Sequence, residues 1–295
     1  MIAAAPLNPG LKLAGLGLAA AAFWGASDFL GGFATRKAHV VLVVAFAHSL
    51  SLVLLLLVAW ATHAPPPAAR PALWGICAGA FGGLALILYY QALSLGEMGL
   101  TTALTGVLTA VVPVAYSFLT QGPPKPIQIA GFVLAAAAIA LIADPPPGKT
   151  RPLGLGLATL AGLGFGVFLV VLNVGSGRSL VWQLIYSRVA SAALAGGIVV
   201  WLKVSHGKDS AAWRKQAGTK SFVWIAGSAG LLEAVGSLLY MRAARDGRLD
   251  VAAVLASLYP AVTILLAAWF LKERTTSHQA LGMAFALIAV VLVSV

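Results

Sequence analysis

LYMRAARDGRLDVAAVLASLYPAVTILLAAWFLKERTTSHQALG, residues Leu239–Gly282, decides how the chain is read. An apolar helix runs out through Tyr240, Ala243 and Gly247. A second apolar segment follows, with Pro260 inside it. A charged turn, Lys272-Glu273-Arg274, leads to Gln279 and Gly282 at the start of a third helix. The first half of the chain holds a similar passage, Leu88–Gly131. There Tyr89, Ala92 and Gly96 precede an apolar run with Pro113, and Gln128 and Gly131 follow. Tyr89 and Tyr240, Gly96 and Gly247, and Gly131 and Gly282 are each 151 positions apart. The two prolines are 147 apart, about one helical turn out of step. Trp24 with Phe165, His48 with Arg188 and Trp74 with Trp224 extend the match, at offsets from 140 to 150. An internal repeat in an apolar chain is the ground plan of many transport proteins.

Composition narrows the class. Of 295 residues, 60% are hydrophobic and 9% charged, and the mean hydropathy is +0.95. A soluble domain carries about 25% charged residues. So few charges cannot cover a water-facing surface, and the chain reads as an integral membrane protein. The 32 glycines and 15 prolines suit membrane helices, where small residues let backbones approach. Cys77 is the single cysteine, which excludes an intramolecular disulfide and a cysteine metal site. The net charge of +11 is spread over short loops, a pattern that suits anionic lipid headgroups and not nucleic acid.

A span needs about 20 mostly apolar residues. Cutting at prolines and charges predicts ten: Leu11–Ala34, Val40–Thr62, Ala72–Leu95, Leu100–Thr120, Ile127–Ala143, Leu153–Val174, Leu180–Val204, Phe222–Ala244, Leu249–Leu271 and Ser277–Val295. The first is too long for a signal-peptide core and is read as a span. Pro65-Pro66-Pro67, Gly122-Pro123-Pro124 and Pro145-Pro146-Pro147-Gly148 stop helices between them. Ser205–Lys220 is the one long polar stretch. Five spans per half is an odd number, so the second half enters the bilayer from the opposite side. The predicted fold is an all-α membrane protein of ten transmembrane helices, in two inverted five-helix repeats (11–143 and 153–295) around a central cavity.

The repeated residues resemble those of the drug/metabolite transporter superfamily, and within it the proteins with paired EamA domains. Tyr89, Ala92, Gly96, Pro113, Gln128 and Gly131 carry the resemblance in the first half. Tyr240, Ala243, Gly247, Pro260, Glu273, Gln279 and Gly282 carry the fuller set in the second. The first half departs from the pattern at Gly122-Pro123-Pro124-Lys125, where it lacks an acidic residue. The resemblance covers nearly the whole chain. It implies ten helices around a cavity, alternating access, and export or exchange of small metabolites. Exporters of the YddG type, which move aromatic and other amino acids, are the nearest resemblance inside the superfamily.

Orientation is read from the loops. Seven Lys and Arg lie on the side of the termini and eleven on the other. A bare count would put the termini outside. The excess comes from the Lys203–Lys220 linker, without which the count is seven against six. The family resemblance implies cytoplasmic termini in a bacterial inner membrane, and that is the orientation adopted.

Catalytic and nucleotide motifs are absent from the sequence. Residues 143–150, ADPPPGKT, fit a loose phosphate-loop expression. Such a loop needs successive backbone N–H groups after a strand, and Pro145, Pro146 and Pro147 have none. The five histidines show no HExxH spacing, and no serine sits in a G-x-S-x-G string. No enzyme, cofactor or metal site is expected.

The candidate substrate-binding residues are Trp24, Asp28, Tyr89, Thr105, Pro113, Phe165, Arg188, Glu233, Tyr240 and Pro260. Trp24 lies deep in its span, while Trp60, Trp74, Trp182, Trp201 and Trp224 fall near span ends, as headgroup-level aromatics do. Pro113 and Pro260 each free a carbonyl inside a helix, for a substrate or only for a kink. Thr101, Thr105 and Thr109 share a face, lining a path or bonding back to their own helix. Gly75, Gly79 and Gly83, and Gly227 and Gly230 on the repeat mate, mark close helix crossings. The sharpest signal is charge inside spans: Asp28, Arg188 and Glu233, with His48 beside them. A carboxylate at bilayer depth costs on the order of 3 kcal/mol, so it is protonated, paired or functional. Arg188 is the one buried base able to hold Glu233 ionised, and Asp28 competes for it. The expected function is export of small metabolites, first amino acids with aromatic or other apolar side chains, with proton coupling as an option. Drugs, nucleobases and other metabolites are the alternative cargo. An intramembrane enzyme and a lipid scramblase are the alternatives of other kinds.

Overall fold

A computed structural model describes residues 9–66, 69–95, 98–143, 152–175, 179–206, 219–271 and 276–294. Gly96, the 144–150 stretch, residues 207–218 of the polar linker and the Lys272-Glu273-Arg274 turn lie outside them, as does the Gln279 side chain. The helices among the described residues are α1 Pro9–Thr35, α2 Val40–Ala61, α3 Ala69–Leu95, α4 Met98–Gln121, α5 Pro126–Ala143, α6 Pro152–Val174, α7 Leu180–His206, α8 Lys220–Asp246, α9 Leu249–Ala256, α10 Tyr259–Leu271 and α11 Ser277–Ser294. They contain no strand.

Local chemistry sets the boundaries. Proline opens α1, α5 and α6 at the position where its missing N–H has no helical partner to lose. Thr219 caps α8 by accepting from the Phe222 N–H at 3.3 Å. Gly122 ends α4 at φ +80°, a left-handed turn that glycine makes without strain, and Pro123-Pro124 prevent continuation. The two mid-span prolines behave differently. α4 runs unbroken through Pro113. The ninth expected span divides into α9 and α10 at Ser257-Leu258, and Pro260 is the second residue of the new helix. The Pro260 ring rests on α4 at Gly106, where a Cβ would stand 2.9 Å from it.

Eight helical segments are long and apolar enough to cross a membrane among the described residues, α9 and α10 counting as one. The apolar stretches of α5 and α11 are shorter, Pro126–Leu141 and Ala280–Val293. The outer surface carries a belt of apolar side chains, with Trp60, Trp201, Trp224 and Trp269 all well exposed, as lipid-facing and interfacial tryptophans are. Trp182 is turned inward instead, and its indole donates to the Ala64 carbonyl at 2.7 Å.

The packing is symmetric under exchange of halves. α1 packs along α8 as α6 packs along α3. α3 crosses α7 as α8 crosses α2, and α4 lies on α6 as α9 and α10 lie on α1. Glycines make the two main crossings possible. A Cβ on Gly79 would stand 2.0 Å from the Ser187 carbonyl oxygen, and one on Gly230 would stand 2.1 Å from that of Ala47. α2 against α7 and α5 against α11 close the arrangement.

Polar contacts gather one end of the bundle. Lys12 pairs with Asp246 at 2.7 Å, joining the start of α1 to the end of α8. Arg248 grips Asp250 with two bonds, 2.8 and 3.1 Å, and donates to the Gly122 carbonyl at 3.0 Å. Gln128, near the start of α5, donates to the Val293 carbonyl near the end of α11 at 3.3 Å. Lys12 and Val293 therefore lie at the same end. Asp250 is fully buried and also accepts from the Val251 N–H. It was not among the charges singled out in the sequence. Asp250→Asn should lower the stability of the purified protein by roughly 2 kcal/mol, since a charged hydrogen bond becomes a neutral one. Thermal unfolding in detergent reads this directly, and an unshifted midpoint would make the clasp ornamental.

Candidate functional site

A cavity lies at mid-depth, where six of its twelve lining residues are Trp24, Asp28, His48, Arg188, Glu233 and Tyr259. Phe165, Phe168, Leu169, Leu86, Gly82 and Thr109 complete the wall. The helices α1, α2, α3, α4, α6, α7, α8 and α10 each supply at least one side chain or backbone face. Each lining residue sits well inside its helix except Tyr259, the first residue after the α9–α10 break.

Arg188 organises the polar wall. It is 2% exposed. Its Nη2 donates to Glu233 Oε1 at 2.5 Å and to Ser237 Oγ at 3.1 Å, and its Nε donates to Ser51 Oγ at 3.1 Å. Serines thus meet the edges that the carboxylate leaves, with Nη1 donating to Ser187 Oγ at 3.5 Å. Ser237 Oγ donates to Glu233 Oε1 at 2.7 Å, one turn along α8. The second oxygen, Glu233 Oε2, is buried with no hydrogen-bond partner in the protein. The ion pair expected from the sequence is present, and it uses only half of the carboxylate. His48, the repeat mate of Arg188, is hydrogen-bonded through Nδ1 to Ser191 Oγ.

Asp28 stands apart from that pair. Among the described residues the ion pairs are Lys12–Asp246, Arg188–Glu233, Arg242–Asp246 and Arg248–Asp250, so Asp28 has no cation within pairing distance. Tyr89 is near enough to interact with it, while the Tyr89 hydroxyl donates to Thr102 Oγ1 at 3.0 Å.

The aromatic wall repeats the symmetry of the helices. Trp24 packs on Tyr240 with ring centroids 5.5 Å apart, and its mate Phe165 packs edge-on to Tyr89 at 5.9 Å. Gly236 makes room for the indole: a Cβ there would stand 2.6 Å from the Trp24 ring. Glu233 and its repeat mate Gly82 both line the cavity, and Gly82 receives the Phe168 ring.

Five of the ten candidates thus meet at the cavity: Trp24, Asp28, Phe165, Arg188 and Glu233. Tyr89 and Tyr240 stand one layer behind, fully buried under the aromatics they support. Thr105 is also fully buried, and its hydroxyl donates to the Thr101 carbonyl and to the Ala158 carbonyl of α6. Pro113 is buried inside α4, and Pro260 is taken up by Gly106. Thr109, which does line the cavity, donates back to Thr105 at 2.8 Å. The sequence did not single out Phe168, Leu169, Leu86 or Tyr259. The signal for the first two was their place one turn beyond Phe165. The signal for Tyr259 was its place beside Pro260, where a helix must restart.

The Tyr240 hydroxyl is buried without a partner. Such a group costs about 1–3 kcal/mol relative to an apolar one. Tyr240→Phe should therefore raise the unfolding midpoint while leaving the Trp24 stack intact. A lowered midpoint would show that the hydroxyl makes a bond of its own.

The comparisons with known proteins agree with this architecture. Residues 11–143 and 152–295 each match the model of the EamA-like transporter family. The chain belongs to that family. EamA-like membership makes it a membrane transporter of small molecules, built as two copies of one unit within the drug/metabolite transporter superfamily. One solved structure, described only as "Crystal structure of protein", is similar over 96% of each chain with a TM-score of 0.69. The identity is 15%, so that likeness speaks for a shared fold and for nothing finer. No curated protein matches the chain.

Proposed function

We infer that this EamA-like protein is a secondary transporter that exports small metabolites by alternating access, with amino acids bearing aromatic or other apolar side chains as first cargo. One observation carries the reading. The mid-depth cavity joins aromatic walls, Trp24 and Phe165, to a carboxylate with an unpartnered oxygen, Glu233 Oε2. A zwitterion with an apolar side chain presents the complementary groups. The reading assigns substrate contact to Trp24, Asp28, Phe165, Arg188 and Glu233, and gives Tyr89 and Tyr240 the task of holding the aromatic walls in place.

The transport cycle proposed for it uses ten crossings in two inverted repeats, 11–143 and 153–295. Support comes from chain direction: α5 starts, and α11 ends, at the end of the bundle where Gln128 meets Val293. The space open to the centres of water molecules in the cavity is about 60 Å³. An aromatic amino acid enters only when the walls separate, which is what alternating access supplies. A bacterial inner-membrane location with cytoplasmic termini completes the reading.

Counterflow in proteoliposomes tests it. Vesicles loaded with unlabelled amino acids should accumulate labelled phenylalanine, tryptophan or leucine faster than protein-free vesicles. Equal traces for the whole panel, with lipid movement in the same vesicles, would replace the transporter reading with a scramblase.

A further inference from the structure

The polar lining of the cavity is unbalanced. Asp28 and Glu233 line the cavity together with one strong base, Arg188. Arg188 spends Nε and Nη2 on Glu233 Oε1, Ser51 and Ser237, while its Nη1 reaches Ser187 Oγ at 3.5 Å. Glu233 Oε2 keeps no protein partner, and Asp28 has no paired cation among the described residues. The wall therefore offers two sets of carboxyl oxygens against one guanidinium, whose Nη2 already pairs with Glu233. An ammonium group has three N–H donors and a full positive charge, and it answers both features. A carboxylate without an ammonium leaves both acids unmatched.

We propose that the cavity holds an ammonium subsite between Asp28 and Glu233 Oε2, and that this subsite exchanges one substrate ammonium for one proton. The Trp24 face beside it adds a cation–π surface. The ring of the substrate lies against Phe165 and Phe168. With the ammonium bound, two carboxylates face a guanidinium and an ammonium, and the charges of these four groups sum to zero. When the amine leaves, a proton from water on the side of release joins a carboxyl, and neutrality returns. When the next amine binds from the other side, that proton passes to water there. Amine and proton thus move in opposite directions, one for one.

Every titratable group around Asp28 enters this balance. α8 brings Glu233, α3 brings Tyr89 and Tyr90, and α10 brings Tyr259. Across the cavity α2 brings His48 and α7 brings Arg188, while α9 and α11 contribute no acid or base to the lining. The tyrosines hydrogen-bond without changing charge near neutral pH. His48 is held by Ser191. The exchangeable proton is therefore shared by the two carboxyls.

The direction of movement rests on the transport reading above, but the subsite is a statement about binding and is tested by binding. Titration calorimetry on the detergent-purified protein would use phenylalanine, 2-phenylethylamine and 3-phenylpropionate at several pH values. The two amines should bind and the propionate should not. Amine affinity should rise roughly tenfold per pH unit while the site still carries its proton. Asp28→Asn removes one carboxyl without stranding Arg188, and should weaken amine binding at least tenfold and flatten the slope. Propionate binding as tight as that of the amine, no binding by either amine, or an unchanged slope in Asp28→Asn would each overturn the proposal. Uptake of the same three compounds into proteoliposomes separates the two claims. Amine binding without uptake removes the transport reading and leaves the subsite. Uptake that ignores both the ammonium group and pH removes the subsite and leaves transport.

Discussion

Arg188→Ala should fold poorly. The substitution leaves Glu233 at bilayer depth with Ser237 as its one hydrogen-bond donor and no counter-charge. Breaking a buried pair from one side costs about 3–5 kcal/mol, because the remaining charge is stranded. That is a large part of the stability of an ordinary protein. Little monodisperse protein should be recovered from detergent extraction. Adding Glu233→Gln to the same chain removes the stranded charge, and the double variant should recover part of the yield. This comparison separates loss of the pair from loss of the arginine's bulk. If Arg188→Ala behaves like wild type on size exclusion and heating, the pair does not hold the core together.

The two crossing glycines should give losses of similar size to each other. Gly79 and Gly230 lie under carbonyl oxygens of α7 and α2, 2.0 and 2.1 Å from where a Cβ would stand. Neither carbonyl can swing away as a side-chain end does, so Ala at either place forces two helices apart. Overpacking of this kind costs about 1–3 kcal/mol and at times more. Gly156→Ala is the control, with nothing within 4 Å of its added Cβ. It should be neutral or stabilising by up to about 1 kcal/mol, since alanine favours the helix. Thermal midpoints of the three variants settle the matter. Tolerance of Ala at Gly79 and Gly230 would mean that these crossings are looser than the distances state.

The sequence made some of this legible for physical reasons. The repeat paired Trp24 with Phe165 and Tyr89 with Tyr240, and the structure puts each α1 or α6 aromatic on the tyrosine of the opposite half. Arg188 and Glu233 could be matched because a membrane interior tolerates few unpaired charges. The layer in which a residue sits was harder to read. Tyr240 shares a helix face with Glu233, yet Trp24 lies over Gly236 and covers it. Helical spacing gives the face of one helix and not what its neighbour places there. The prolines show the same limit. Pro113 leaves α4 continuous, while the chain breaks just before Pro260, and only the packing of the α9–α10 break on α4 distinguishes them. Asp250 was overlooked because its partner, Arg248, is two residues away at a helix start, where a charge pair resembles a solvated loop.

Counterflow of labelled phenylalanine by Trp24→Ala and Asp28→Asn, beside Trp60→Ala, tests most directly whether substrate meets the mid-depth cavity. Trp60 is 77% exposed on the outer surface, so its loss removes no cavity contact. An aromatic contact contributes about 0.5–1.5 kcal/mol beyond area burial, which allows a loss of roughly tenfold. Trp24→Ala and Asp28→Asn should each lose about tenfold or more in initial rate while remaining folded, since neither breaks the Arg188–Glu233 pair, and Trp60→Ala should match wild type. Equal rates in all three variants and the wild type would contradict the account and move the substrate path elsewhere in the molecule.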